Sequence, residues 1–206
     1  VIQGYAETVR DVTWPNEEKR TAQLTIVSDE AARLSHIVTD ILDYSRMQSG
    51  VDSIQVETFA LRPVLEDRCV SFEVAAAKKD IHLELHCDEI LVKFDKNKLV
   101  QVLNNLLGNA INHAPEHTTV VIRTGKSVTR ARISVENAGS PIPASELDRI
   151  WERYHQVPQT QGVTISGTGL GLSIVKSIFD LHAVPFGVSS DDSKTVFWFE
   201  TVPMEE

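Results

Sequence analysis

Apolar and small residues between 17 and 45 recur at alternating spacings of three and four. Leu24, Val27, Ala31, Leu34, Val38, Ile41 and Ser45 form one stripe, while Glu30, Arg33, His36 and Asp40 lie off it. This is the seam of a coiled coil or helical bundle. A first helix, Val1 to about Arg10, precedes it, and Trp14-Pro15-Asn16 separates the two. Asn16 predicts an N-cap, and Glu17 and Glu18 suit the positive end of the second helix. Two helices cannot cover such a stripe. A second hairpin, most simply from another copy of the chain, is expected to complete a four-helix bundle.

Near Ser49-Gly50 the period changes. SIQVE (53–57) reads as a short strand and Leu61 to Lys79 as a helix, with Pro63 tolerable in its first turn. Strands follow near 81–85 and 90–94. Asp95 can cap a helix from Lys98 to about Asn112, which Ala114-Pro115 stops. Strands are predicted at 119–124 and 130–135, the second alternating through Ala131, Ile133 and Val135. A turn at Asn137 to Pro141, a short helix at 145–151, a polar stretch to Ser166, a helix from about 170 to 181 and a hairpin (186–190, 195–202) complete the chain. Mixed order implies an α+β fold, a helical hairpin at 1–49 followed by a domain at 50–206 with a mixed sheet and helices on one face.

Composition narrows the classes. The 206 residues are 42% hydrophobic and 24% charged, with net charge −9, which suits a globular protein and excludes long disorder. There is no apolar run long enough to span a membrane, and the first residues do not read as a signal peptide. Cys69 and Cys87 are too few for a disulfide framework or a zinc cage. The acidic balance argues against nucleic acid, which needs clustered cations, but leaves open a nucleotide held by backbone donors and a metal.

Three segments carry candidate chemistry. In LVQVLNNLLGNAINH, Leu99, Val102, Leu103, Leu106 and Ala110 form the apolar stripe, and Asn105, Asn109 and Asn112 share a narrow polar face. Asn is a mediocre helix former. Such a face either points at water or offers neutral amide oxygens to a ligand, one of which could coordinate Mg²⁺. GTGLG (167–171) opens a helix, where glycine lets backbone approach phosphate. Together with Asp191, about 20 residues on, it suggests a dinucleotide fingerprint, but Leu172 occupies the third glycine position and no second half follows. VENAGSPIP (135–143) runs a strand into a Gly-Pro turn and is an ordinary loop or part of a site.

Together these segments resemble the catalytic region of two-component sensor histidine kinases over nearly the whole chain. NNLLGNAINHAP is similar to that family's N box, VENAGSPIP to its first glycine box, WERYHQ to its aromatic box and GTGLGLSIVKSI to its second glycine box. RLSHIVTDILDYSRMQSG is similar to the end of the dimerisation hairpin and its linker. The fold implied is a Bergerat-type α/β sandwich that binds ATP, preceded by half of a dimeric four-helix bundle.

The resemblance implies roles residue by residue. Asn109 would hold Mg²⁺ and Asn105 would lie next to the phosphates. Asn137 stands where the family usually has the Asp that accepts from the adenine amino group; Asn keeps the acceptor and loses the charge. Gly139 and Ile142 would line the base pocket, with Pro141 where a second Gly is usual. Arg153, beside Tyr154, would be the cation for the terminal phosphates. Gln156 stands where Arg is common, Asn112 where Lys or Arg is common, and His113 where Tyr is frequent. Gly167, Thr168, Gly169, Leu170, Gly171 and Leu172 complete the nucleotide-binding set, and Thr195 would support the adenine-binding side chain. Hydrolytic relatives carry a Glu where Asn105 stands, and an amide cannot act as a general base. The resemblance therefore implies a kinase that delivers the γ-phosphoryl group to a His and thence to an Asp of a response regulator receiver domain, catalysing mainly by positioning.

The family's phosphoacceptor His is expected just upstream of Val1, so the chain should bind ATP without labelling itself; none of its seven histidines is a substitute. The parent is expected to be membrane-anchored, with this chain as a cytoplasmic portion, and the lid (154–166) mobile without nucleotide. Three alternatives remain: a non-catalytic dimeric adaptor that binds a response regulator, favoured by Asn137, Asn112 and Gln156; a serine kinase of the anti-sigma type, which lacks the long hairpin; and a dinucleotide oxidoreductase.

Overall fold

A computed structural model describes residues 1–48, 54–127, 129–157 and 169–204. In the long second helix the side chains of 32, 33, 36, 37, 39–41 and 43–48 are not described either. The chain divides into two compact units, Val1–Val51 and Asp52–Glu206.

The first unit is the expected hairpin, α1 (Ile2–Thr8) and α2 (Glu17–Gln48). Helix α1 does not stop at Arg10. It continues as a π-helical turn over Val9–Thr13, and the widened turn buries Val9 and Thr13, with Thr13 Oγ1 donating to Gln23 Oε1 at 2.6 Å. Asn16 caps α2 as predicted, its Oδ1 accepting from the Lys19 N–H at 3.0 Å. The Arg20 guanidinium lies over the Trp14 ring and donates to the Trp14 carbonyl, closing the turn. Leu24, Leu34 and Val38 of the predicted seam are exposed, as is Leu42; Ile41 and Ser45 fall outside the described side chains. A stripe this apolar left in water is the signature of a surface built to be covered.

The second unit has β1 (Val56–Ala60), α3 (Leu61–Ala77), β2 (His82–His86), β3 (Leu91–Asp95), α4 (Lys96–His113), β4 (Thr119–Lys126), β5 (Ala131–Asn137), α5 (Gly171–His182), β6 (Phe186–Ser190), β7 (Thr195–Thr201) and β8 (Pro203–Met204). A mixed five-stranded sheet runs β2-β4-β5-β7-β6, with only the β2–β4 pair parallel. Alternation along β5 and β7 turns Ile133, Val135, Phe197 and Phe199 inward. They meet the buried faces of α4 (Leu99, Val102, Leu103, Leu106) and α5 (Ile174, Val175, Ile178, Phe179), so the periods of these two helices and the alternation of these two strands point to one core.

Four expectations shift. A second, three-stranded antiparallel sheet, β1-β3-β8, was not anticipated. Pairing of Val56 to Ala60 with Asp95 to Leu91 places β1 three residues beyond the predicted 53–57, because cross-strand partners outweigh local β-propensity. The helix expected at 145–151 is a set of turns ending in one 3₁₀ turn, Arg149–Trp151. The dinucleotide reading finds no support: among the described residues β6, which follows the glycine-opened helix, pairs with β7 alone and antiparallel to it, whereas that fingerprint requires parallel strands on either side of the helix. Its supposed first strand lies outside the described residues.

Candidate functional site

Helix α4 begins at Asp95, whose Oδ1 accepts from the Lys98 N–H at 3.1 Å, and carries the three asparagines. Its apolar stripe is buried, so the opposite face is held outward: Asn105 and Asn109 are half-buried and Asn112 is exposed. Asn105 Nδ2 donates to the Gln101 carbonyl at 2.9 Å. Its Oδ1 is thereby aimed at the start of α5, where a Cβ added to Gly171 would lie 2.6 Å from it. A side chain there would push the Asn105 amide aside, and this contact brings the asparagine face and the glycine-rich turn together.

Helix α5 opens at Leu170 without a side-chain cap, so first-turn N–H groups of Gly171 and Leu172 are supplied by backbone alone. Gly169 has φ +69 and packs on the Tyr154 backbone, 2.7 Å from where its Cβ would be; the Tyr154 N–H donates to the Gly169 carbonyl at 2.9 Å. Tyr154 itself is left-handed (φ 58) and exposed, as is Arg153. Next to them His155 Nε2 lies 2.6 Å from Glu146 Oε2, both side chains nearly buried. Gly167 and Thr168, and residues 158–166 of the predicted lid, lie outside the described residues.

The other wall is the end of β5. Asn137 is buried, and its Nδ2 donates to the Ala138 carbonyl at 2.8 Å. A carbonyl only accepts, so the atom facing it must be the amide nitrogen, and Oδ1 is the atom left for other partners. Gly139 (φ +152) presses on the end of α4, where its Cβ would lie 2.9 Å from the His113 carbonyl oxygen. Thr195 is buried and directly opposite Asn137 in the β5–β7 register. Its hydroxyl meets Ser190 Oγ at 2.7 Å, and Ser190 Oγ accepts from the Ile142 N–H at 2.9 Å. Ser190 ties Ile142 to Thr195, and sequence reasoning missed it, because a serine at a strand end carries no distinguishing pattern. The exposed His113 has its imidazole held below its ordinary value, first by partial loss of hydration and second by the Lys79 ammonium.

The predicted residues thus fall into two groups. Asn105 meets Gly171, and Gly139, beside Asn137 and its register partner Thr195, rests on the far end of the same helix at the His113 carbonyl. Among the described residues no group of three or more His, Cys, Asp or Glu could hold a metal, and none of the helices is long and apolar enough to cross a membrane.

Residues 94–206 match the sequence profile described as Histidine kinase-, DNA gyrase B-, and HSP90-like ATPase, and residues 1–50 match the His Kinase A (phospho-acceptor) domain. The sensor protein IrlS of Burkholderia pseudomallei is 32% identical over 173 residues, which is 84% of this chain and 37% of that protein. The structure of the Acinetobacter baumannii histidine kinase AdeS is similar with a TM-score of 0.77 over 99% of this chain and 94% of that one, at 22% identity, a likeness of fold. Histidine kinase ThkA, solved in complex with the response regulator protein TrrA, has a TM-score of 0.76 and 27% identity, covering 98% of this chain and 57% of ThkA. The chain spans well under half the length of IrlS. Its two profile matches lie in the order hairpin, then ATPase domain, and the chain belongs to the sensor histidine kinase family of two-component systems.

Proposed function

We propose that this chain is the catalytic core of a protein-histidine kinase that binds ATP with Mg²⁺ and transfers the γ-phosphoryl group to a His, from which it passes to an Asp of a response regulator. The observation that supports it best is the contact between Asn105 and Gly171, which joins the amide face of α4 to the uncapped start of α5. Neutral amides, glycine backbone and helix-start N–H groups suit a polyphosphate. Adenine would enter between the end of α4 and the Asn137–Gly139 turn, where Asn137 Oδ1 can accept from an amino group. Ser190 and Thr195 brace that wall from behind.

The half-buried Asn109 amide offers one oxygen for Mg²⁺, which suits an ion that takes few protein ligands and completes its shell with water and phosphate oxygens. When bound, the ion supplies charge neutralisation across the phosphates. Asn105 cannot take a proton from water, so the site keeps the nucleotide for transfer. Arg153 would face the terminal phosphates. The exposed stripe of α2 supports a homodimer through the hairpin, and the likeness to ThkA supports a receiver-domain partner.

Calorimetric titration with the non-hydrolysable analogue AMPPNP, with and without Mg²⁺, tests the reading. Saturable binding strengthened by Mg²⁺ is expected. No binding at millimolar ligand would leave the adaptor, the reading favoured by the neutral Asn112 and Gln156.

A further inference from the structure

Lys79 lies in the turn that leaves α3, half-buried, and its side chain crosses to the end of α4. Its ammonium donates to three main-chain carbonyls there, Ile111 at 2.9 Å, Asn112 at 3.1 Å and Ala114 at 2.6 Å. An ammonium has three protons, so its whole donor capacity is spent on one helix terminus. Such carbonyls lack partners within a helix that stops, and a cation there also meets the negative end of the helix dipole. Pro115 follows Ala114 and cannot continue the helix, so α4 must end here, and the cap comes from a residue more than thirty positions earlier in the chain.

The turn around Lys79 is itself fixed. The Ile81 N–H reaches back to the Ala76 carbonyl, the His117 N–H donates to the Lys79 carbonyl, and His117 Nδ1 lies 2.8 Å from Asp80 Oδ2. Lys79 is therefore a rigid support. What it supports bears on the site: the segment it grips carries Asn112 and His113, and the His113 carbonyl is the surface on which Gly139 rests. Movement of that carbonyl by a fraction of an ångström would displace the Asn137–Gly139 turn.

We propose that Lys79 is a positioning residue for nucleotide recognition: by capping Ile111, Asn112 and Ala114 it holds the end of α4 against the Asn137–Gly139 turn, so that the base-binding wall stands formed before ligand arrives. The inference rests on the nucleotide reading above. It differs from a general stabilising role in what it affects. The adenine side of the site depends on Lys79, whereas the phosphate side, at Asn105 and Gly171, lies two turns away along α4 and does not.

The test compares wild type, Lys79→Met and Lys79→Arg under conditions where urea titration shows all three folded, using calorimetry with Mg-ADP and with Mg-pyrophosphate. Lys79→Met is expected to weaken ADP about tenfold, the scale of a lost charged hydrogen bond, and to leave pyrophosphate within about twofold. Lys79→Arg is expected to recover only part of the loss, because a planar guanidinium cannot direct three donors at one helix end. An NMR titration of His113 in the ligand-free protein should show its pKa rising in Lys79→Met, since the neighbouring cation is gone. Equal loss for both ligands, or unchanged ADP binding by Lys79→Met, overturns the inference and leaves the nucleotide reading standing. Failure of the wild type to bind either ligand overturns both.

Discussion

Gly171→Ala separates the site from the fold. A methyl at this position would lie 2.6 Å from Asn105 Oδ1 and 3.5 Å from its Cγ. To reach ordinary contact the oxygen must retreat by roughly 0.8 Å. The obstacle is the free end of a side chain, so the backbone need not move. Rotating the amide costs about 0.5–1.5 kcal/mol as an off-rotamer torsion, and loosening its bond to the Gln101 carbonyl costs about 0.5–1.5 kcal/mol more. Against this, Ala replaces Gly at the first residue of α5, a gain of at most about 0.5–1 kcal/mol, the value for a helix interior. The net change in stability should be within about 2 kcal/mol. The displaced amide is the group proposed to lie next to the phosphates, and misplacement of about 1 Å in a reacting site can cost about 10²-fold. Urea unfolding and AMPPNP calorimetry should therefore disagree: a small shift in midpoint, and affinity lower by about tenfold or more. Gly169→Ala is the control. Its methyl would meet the Tyr154 backbone at 2.7 Å with φ at +69, and backbone cannot step aside, so that variant should lose stability by about 1–3 kcal/mol. Wild-type affinity in Gly171→Ala would refute the placement of Asn105 beside the ligand.

Two further outcomes follow from buried polar contacts. Asn137→Asp restores the family's usual residue, yet it would set a carboxylate oxygen against the Ala138 carbonyl, 2.8 Å from the present nitrogen. The fold should weaken by about 1–3 kcal/mol at neutral pH, with the penalty absent below about pH 4, where the acid keeps its proton and can donate; an Asp variant as stable as wild type at pH 7 would contradict this. His182 stacks on Phe94 at 3.8 Å, Nδ1 donates to the Ile178 carbonyl, and Nε2 accepts from the Asp95 N–H. Burial holds its pKa below the ordinary value, opposed by the Ile178 carbonyl and Asp95. A lowered folded-state pKa means the stabilisation is present above about pH 6.5 and is lost as pH falls through the folded value. The unfolding free energy of wild type minus His182→Gln should shrink between pH 7.5 and 5.5; a constant difference would show that the proton is not excluded.

The sequence by itself determined most of the helices and strands, and the family. The three–four stripe of α2, the Asn16 and Asp95 caps, and the alternation of β5 were legible because each is a local property: a period, a cap residue, a turn former. The four boxes were legible because each is a short run of residues at close spacing that resembles the family's motif. Tertiary structure alone decided which of those residues meet. The contact of Asn105 with Gly171 joins positions 66 apart in sequence, and neither residue's neighbours announce it. The second sheet and the shift of β1 came from pairing with β3, which no local propensity encodes. Ser190 and Lys79 were invisible for the same reason: a hydroxyl at a strand end and an ammonium in a turn acquire a role only from the groups that folding places within 3 Å of them.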